Sequence, residues 1–416
     1  MSCKSHVSKR VSAWNDWILL VSYSPMALIP YSRQSISHED ITSINQVITS
    51  DFLTQGPKVQ DFERELSNWF GVEDAVVCSS GTAALHLAYA AAGVGEGSLG
   101  IIPAITFSAT ANALKYQSAQ ISFCDVSPHT GLIDPESLEY CLEQVSEEQK
   151  EKTNIVTPVS FAGSVAPLEK CSLLAKEHGF GLIEDASHSP GAWKQEESGS
   201  KTKSSSGLWE DASTLSFHPV KHICCGEGGA VLTNSGKLAE SARKLRSHGI
   251  ARPFGENHET PWRYEQEELG WNYRLTDLQA ALGISQLKRL DDFLTQRRAL
   301  ASRYLESLKE KPFCDHFELP EIDPGNAWHL FVIRFKEKGK RDLAHKFLKE
   351  KNVLTQVHYV PLYRHPYFEK MVGKIRLPGA ETFYRGCLSI PLYPHLTVND
   401  QDKVIEELGN FVNQFS

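Results

Sequence analysis

Ser216-Phe-His-Pro-Val-Lys-His-Ile-Cys-Cys-Gly-Glu-Gly-Gly229 closes a short apolar run and carries a single lysine, Lys221, between Pro219 and a glycine cluster. That setting places the amine in a partly desolvated turn rather than on a wet helix face. Burial lowers the pKa of such an amine and exposes a nucleophile suited to Schiff-base chemistry. A surface lysine in a loop has the same local sequence, so the reading depends on its company. Upstream, Gly181-Leu-Ile-Glu-Asp-Ala-Ser-His188 is a buried-strand pattern that ends in an acid, Asp185, followed by a histidine.

A carboxylate against the nitrogen of a pyridine ring keeps that ring protonated and able to accept the electrons of a carbanion. The set Glu184-Asp-Ala-Ser-His188, Ser216-Phe-His-Pro-Val-Lys221 and Gly226-Glu-Gly-Gly229 resembles the DegT/DnrJ/EryC1/StrS aminotransferases, which aminate keto groups on nucleotide sugars. The likeness runs from about Ile29 to the C-terminus. Within that family, the opening Ile29-Pro-Tyr-Ser-Arg-Gln-Ser-Ile36 most resembles the UDP-4-amino-4,6-dideoxy-N-acetyl-beta-L-altrosamine transaminases of the pseudaminic acid pathway.

The resemblance implies a type I (aspartate aminotransferase-like) fold dependent on pyridoxal 5'-phosphate (PLP), with a large α/β/α domain, a small C-terminal α+β domain, and a homodimer with shared active sites. It implies that Lys221 holds the cofactor, Asp185 pairs with its ring nitrogen, Phe107 stacks on the ring and His188 faces the phenolic oxygen. Gly81, Thr82 and Ser216 match the phosphate ligands, and Asn272 matches an asparagine that crosses the dimer interface to the neighbouring phosphate. Tyr31, the loop Leu53, Thr54, Gln55, Gly56, and the run Gln356, Val357, His358, Tyr359 match positions near the sugar nucleotide. The implied reaction moves an amino group from L-glutamate to C4 of a UDP-4-keto-6-deoxy-N-acetylhexosamine. C4 amination of the D-xylo epimer, as toward bacillosamine, or C3 amination of a dTDP-keto-sugar would keep every cofactor residue. A non-catalytic PLP-binding regulator is the reading from another class. The retained Lys221 opposes it, and opposes the family's dehydratases, which carry histidine there.

Composition sets the frame independently. With 416 residues, 41% of them hydrophobic and 23% charged, the chain can bury a large core and is long for one domain. A net charge of −8 supplies no basic surface for nucleic acid or an anionic membrane, and fits a cytosolic enzyme acting on small substrates. The nine cysteines are odd in number, scattered and without zinc-site spacing, so they read as reduced, mostly buried thiols and no metal is expected. The pair Cys224-Cys225 reads either as packing residues or as a redox pair.

Residues 1–28 fit the pattern worst. The run Trp17-Ile-Leu-Leu-Val21 is shorter than the roughly 7–15 apolar residues of a secretory segment, so this extension reads as a disordered tail or an over-long start. Residues 29–290 then form the large domain and 291–416 the small one. Alternating apolar runs and helical stretches from Ala75 to Asp185 predict a largely parallel sheet covered on both faces, with ligands at the strands' carboxyl ends. Ser79-Ser-Gly-Thr-Ala-Ala-Leu-His-Leu-Ala88 opens a helix on small hydroxyl residues, which serves equally as an anion site or as an ordinary N-cap. Lys194–Gly207, rich in Ser, Lys and Gly, reads as a mobile surface loop; Val353–Pro361 reads as strand-like, and a single long helix is expected from about Leu287 through Leu305.

Overall fold

The computed structural model describes residues 28–195, 199, 201–251 and 262–415, so the extension before Leu28 lies outside the described residues. A seven-stranded sheet organises the larger part of the chain. It comprises β1 (Asp74–Cys78), β2 (Leu99–Pro103), β3 (Gln120–Cys124), β4 (Ile155–Val156), β5 (Gly181–Asp185), β8 (Ala212–Ser216) and β9 (Gly229–Thr233), in the order β1-β9-β8-β5-β4-β2-β3. The strands interposed in sequence, β6 (Trp193–Gln195) and β7 (Lys201–Lys203), form a separate hairpin.

Side-chain alternation decides what each strand face does. Ala75 and Val77 of β1 belong to one apolar cluster, whereas Val76 and Cys78 belong to the other; Ile101 and Ile102 of β2 divide in the same way. Both faces are therefore buried, as near-continuous apolar strands require. Helices Gly81–Ala91, Ser108–Tyr116 and Gly236–Arg246 cover one face, and Pro57–Phe70, Pro135–Glu143, Leu168–Glu177 and Asp277–Leu287 cover the other. Pro57 opens its helix at the first position, where a missing N–H costs nothing, and Gly71 ends it in the left-handed conformation.

The sheet departs from an all-parallel arrangement at one strand: β9 runs antiparallel to both β1 and β8. The connection Phe217–Gly228 contains no helix, so the chain turns straight back beside β8 instead of crossing over. Lys221 lies in that return.

A third apolar cluster gathers the C-terminal part. The short pair β10 (Ile250–Ala251) and β11 (Glu265–Gln266) precedes it, and an antiparallel sheet of β12 (Phe317–Glu318), β13 (Phe331–Phe335) and β14 (Cys387–Ile390) packs against helices Leu290–Leu308, Lys340–Glu350 and Val398–Phe415. Ile29, read with the larger domain, is buried in this third cluster, because its backbone pairs with Asn352 and Leu354. The long helix expected from about Leu287 through Leu305 is Leu290–Leu308, set off from helix Asp277–Leu287 by Lys288–Arg289. Val353–Pro361 makes isolated bridges, Ile29 with Val353 and Gln356 with Ser389, rather than a strand.

The stretch read as a mobile loop is corrected most. The β6–β7 hairpin occupies it, and Thr202, Ser204 and Ser205 are buried. Ser204 donates to Glu184 Oε1 at 2.7 Å, the Ser205 N–H donates to Oε2 at 2.7 Å, and Ser160 adds a further short hydrogen bond. Burial, reinforced by Glu210, pushes the Glu184 carboxyl up to about 8. The hydroxyls that suggested solvent instead line a buried acid.

Candidate active site

β5 and β8 lie side by side in parallel with Asp185 opposite Thr214, so Asp185 and Ser216 emerge at neighbouring carboxyl ends. The chain beyond Ser216 folds back through hydrogen bonds from Phe217 N to Gly228 O, Cys225 N to Phe217 O and Lys221 N to His218 O, each 2.8 Å. Those bonds hold Lys221 over the strand ends. Burial lowers the lysine to about 8 while the negative charge of Asp185 opposes the shift. In apo-protein, Schiff-base formation with added PLP should accelerate as pH rises through about 8, because only the neutral amine attacks; stopped-flow absorbance measures it, and a midpoint near 10.5 would show an unperturbed lysine.

Three donors fix Asp185. Thr110 Oγ1 donates to Oδ2 at 2.8 Å, and the Ser187 hydroxyl and N–H donate to Oδ1 at 2.7 and 3.2 Å. Thr110 is itself tied to Thr106 at 2.8 Å. Neither Thr110 nor Ser187 was singled out from the sequence; the signal was a threonine one helical turn beyond Phe107 and a serine two residues past the acid. Phe107 sits at the N-cap of helix Ser108–Tyr116, 59% exposed, with the Tyr359 ring 6.1 Å away.

Helix Gly81–Ala91 begins beside Ser216. Its N–H groups at Gly81 and Thr82 have no intrahelical acceptor, and Ser80 caps Ala83 at 3.1 Å. A Cβ on Gly81 would lie 2.8 Å from Ser216 Cβ, and one on Gly229 would lie 2.4 Å from Ser80 O. Glycine at both positions therefore lets the helix start press against β8 and β9. Free amides, a positive helix end and a hydroxyl converge there as an anion cradle.

Buried imidazoles surround the lysine. His188 Nδ1 accepts from Ala162 N–H at 3.4 Å, and Nε2 meets the Tyr359 hydroxyl at 3.3 Å. Burial, with Lys221, His358 and His222 nearby, holds His188 well below the usual histidine range. His358 is pushed down to about 3 by burial and by Lys221, and its Nδ1 lies 2.8 Å from Ser389 Oγ. The Tyr31 ring lies tilted against His358, centroids 5.6 Å apart, and the next residue, Ser32, donates to Val220 O at 3.2 Å. The smaller unit thus brings Tyr31, His358 and Tyr359 to the lysine. Gln356 is exposed and its Oε1 accepts from Val357 N–H at 2.9 Å, while Val357 packs between two apolar clusters.

Two predicted groups are largely exposed in this protomer. Leu53, Thr54 and Gln55 are exposed, and the loop is anchored to the start of helix Asp277–Leu287: Leu53 O accepts from Asp277 N at 3.0 Å, Thr54 bridges Thr276, and Asp277 Oδ2 accepts from Gly56 N at 2.8 Å. Asn272 is exposed on the same stretch of chain, next to Tyr273, whose carbonyl accepts from Ser79 N at 2.8 Å. Burial pushes the Cys224 thiol up to about 11 and holds Cys225 well above the usual thiol range, which favours packing over a redox pair.

A lysine beside a thrice-bonded carboxylate and an anion cradle at a helix start fits PLP. The model of the DegT/DnrJ/EryC1/StrS aminotransferase family matches residues 34–409. The chain belongs to that family. It is 35% identical over 395 residues to the spore coat polysaccharide biosynthesis protein SpsC of Bacillus subtilis, spanning 92% of this chain and 97% of that protein. A UDP-4-amino-4,6-dideoxy-N-acetyl-beta-L-altrosamine transaminase of Campylobacter jejuni is 36% identical over 390 residues, covering 93% and 98%. Among solved structures, Helicobacter pylori PseC, an aminotransferase of pseudaminic acid biosynthesis, superposes with a TM-score of 0.84 at 28% identity, over 94% of this chain and all of that one. This DegT/DnrJ/EryC1/StrS protein is accordingly a PLP-dependent sugar aminotransferase of the type I fold. Among the described residues no helix is long and apolar enough to cross a membrane.

Proposed function

We propose that the enzyme transfers the amino group of L-glutamate to C4 of a UDP-linked 4-keto-6-deoxy-N-acetylhexosamine, the L-arabino ketone that leads toward pseudaminic acid. The observation that carries this reading is the near-full-length likeness to altrosamine transaminases, combined with the Tyr31–His358–Tyr359 wall, whose His358 lies near enough to Lys221 to feel its charge. Lys221 would hold PLP, Asp185 its ring nitrogen, Phe107 and His188 the ring, and Gly81, Thr82 and Ser216 the phosphate. Bound there, PLP supplies an electron sink that makes the carbon-bound protons of donor and product exchangeable. Lys221 Nζ, partly neutral near pH 8, takes the donor's α-proton and later delivers a proton at the sugar C4. Thr110 and Ser187 keep the Asp185 carboxylate aimed during both halves, and the Tyr359 hydroxyl with the buried imidazoles limits water at the lysine.

Asn272 and the Leu53–Gly56 loop are largely exposed and meet on one stretch, the loop being held by Thr276 and Asp277. This favours a homodimer in which they complete the neighbouring site, and a fully active monomer in sedimentation analysis would overturn that. The sugar assignment rests on polar groups of the wall reading hydroxyl orientation. A buried donor left unpaired by an epimer costs about 1–3 kcal/mol, or roughly 10- to 100-fold in rate. Initial rates should favour the L-arabino ketone over its D-xylo epimer by that factor. A preference for the D-xylo compound would move the substrate and leave the cofactor chemistry unchanged.

A further inference from the structure

We infer that His329, which no motif of the cofactor site includes, is a positioning residue that fixes the ring of His188. The inference rests on the proposal above that His188 faces the cofactor. His188 is constrained from three directions: Ala162 N–H at Nδ1, the Tyr359 hydroxyl at Nε2, and the flat face of His329, whose centroid is 4.2 Å away at 35°. Because Nδ1 accepts a hydrogen bond, the neutral ring carries its proton on Nε2, the nitrogen that points toward Tyr359. A ring flip would exchange the two nitrogens and place the bare lone pair there.

The backbone supporting this arrangement is held in a conformation that side chains disfavour. Ala162 has φ 57 and Trp328 has φ 47, both in the left-handed region. These two residues supply the constraints on His188: Ala162 gives its own N–H, and Trp328 sets the direction of His329. The turns lock each other, with Ala327 N donating to Gly163 O at 2.9 Å and Leu330 N to Ala162 O at 3.2 Å. Their approach is so close that a Cβ on Gly163 would lie 2.4 Å from Trp328 N. Trp328 N donates to Asn326 Oδ1 at 2.6 Å. Arg297, fully buried, clamps the outer side through hydrogen bonds to the carbonyls of Trp328, His329 and Leu392 at 3.1–3.2 Å. Local strain persists only where its surroundings over-determine it, and such sites cluster where geometry serves function.

His329 is 2% exposed, and its Nδ1 has no hydrogen-bond partner. Hydrogen bonding by that nitrogen therefore does not account for its burial, whereas its close ring contact with His188 does. The His222 ring backs it at 5.5 Å, with its own Nε2–H donated to Ala327 O at 2.9 Å. Burial, with His188, Lys221, His222 and Arg297 close by, keeps His329 uncharged, so one neutral ring faces another. Sequence position hid the pairing, because His188 follows a strand of the large sheet while His329 precedes β13 of the smaller one.

Nitrogen NMR of 15N-histidine-labelled apo-protein tests this directly. Wild-type His188 should appear as the Nε2–H tautomer. His329→Ala should give mixed tautomers and, once loaded, a kcat lower by about 10- to 100-fold with the sugar KM changed less than about threefold, the usual scale for removing an outer-layer partner. His329→Phe keeps a flat face without nitrogens and should recover both readouts. An unchanged tautomer and kcat in His329→Ala, or a Phe variant as impaired as Ala, would overturn the inference. Should the Ala variant fail to fold, the tautomer of the Phe variant decides alone, with a mixture overturning it. His188→Ala serves as the control. If that change leaves the absorption spectrum of bound PLP and its pH dependence untouched, the cofactor reading of His188 fails, whatever His329 does to the ring.

Discussion

Lys221→Ala is expected to lower transamination on the order of 10⁵-fold, the scale at which removing a covalent nucleophile leaves only binding behind. The variant should still bind PLP through the Gly81, Thr82 and Ser216 cradle, but without the absorption of a Schiff base. Lys221→Arg separates charge from reactivity. It keeps a cation beside Asp185 yet cannot release a proton near neutral pH, so it should be as inactive as alanine. The argument depends on burial lowering the lysine to about 8. Single-turnover measurements with glutamate and pre-bound cofactor check it, and full activity in either variant would remove Lys221 from the chemistry.

Asp185→Asn is the second large effect, expected at about 10³-fold in kcat, comparable to losing a principal electrostatic partner of the reacting group. Asparagine is nearly isosteric, and its oxygen can still accept from Thr110 or Ser187, which now bond at 2.7–3.2 Å. The fold should therefore survive while the negative charge is lost. Thermal unfolding within a few degrees of wild type, together with a deep loss of turnover, would separate the electronic role from a structural one. Equal turnover in Asp185→Asn would show that the carboxylate is not the ring's partner.

How much of this could be read in advance follows from where each signal resides. Asp185 and Ser216 close strands and Lys221 stands in the turn before a glycine cluster, and the chemistry of an activated amine restricts the residue types there, so a linear reading reaches them. Strand direction carries no such mark: the apolar run of β9 looks the same parallel or antiparallel, and only the helix-free return Phe217–Gly228 sets it. Lys194–Gly207 misled because serines that solvate a loop and serines that line a buried carboxylate read alike. Their partner, Glu184, lies on an earlier strand. Thr110, Ser187 and His329 were missed for a common reason: each acts on another side chain, through contacts that exist only once distant segments meet.

One measurement tests the central claim most directly. The protein, loaded with PLP, is given 15N-labelled L-glutamate and the UDP-linked L-arabino 4-ketone, and the sugar-nucleotide product is isolated for mass spectrometry and NMR. The account predicts a UDP-4-amino sugar carrying the 15N label at C4, with 2-oxoglutarate formed in equal amount. A ketone recovered unchanged while an alternative keto-sugar is aminated, or an amine without the label, would contradict it.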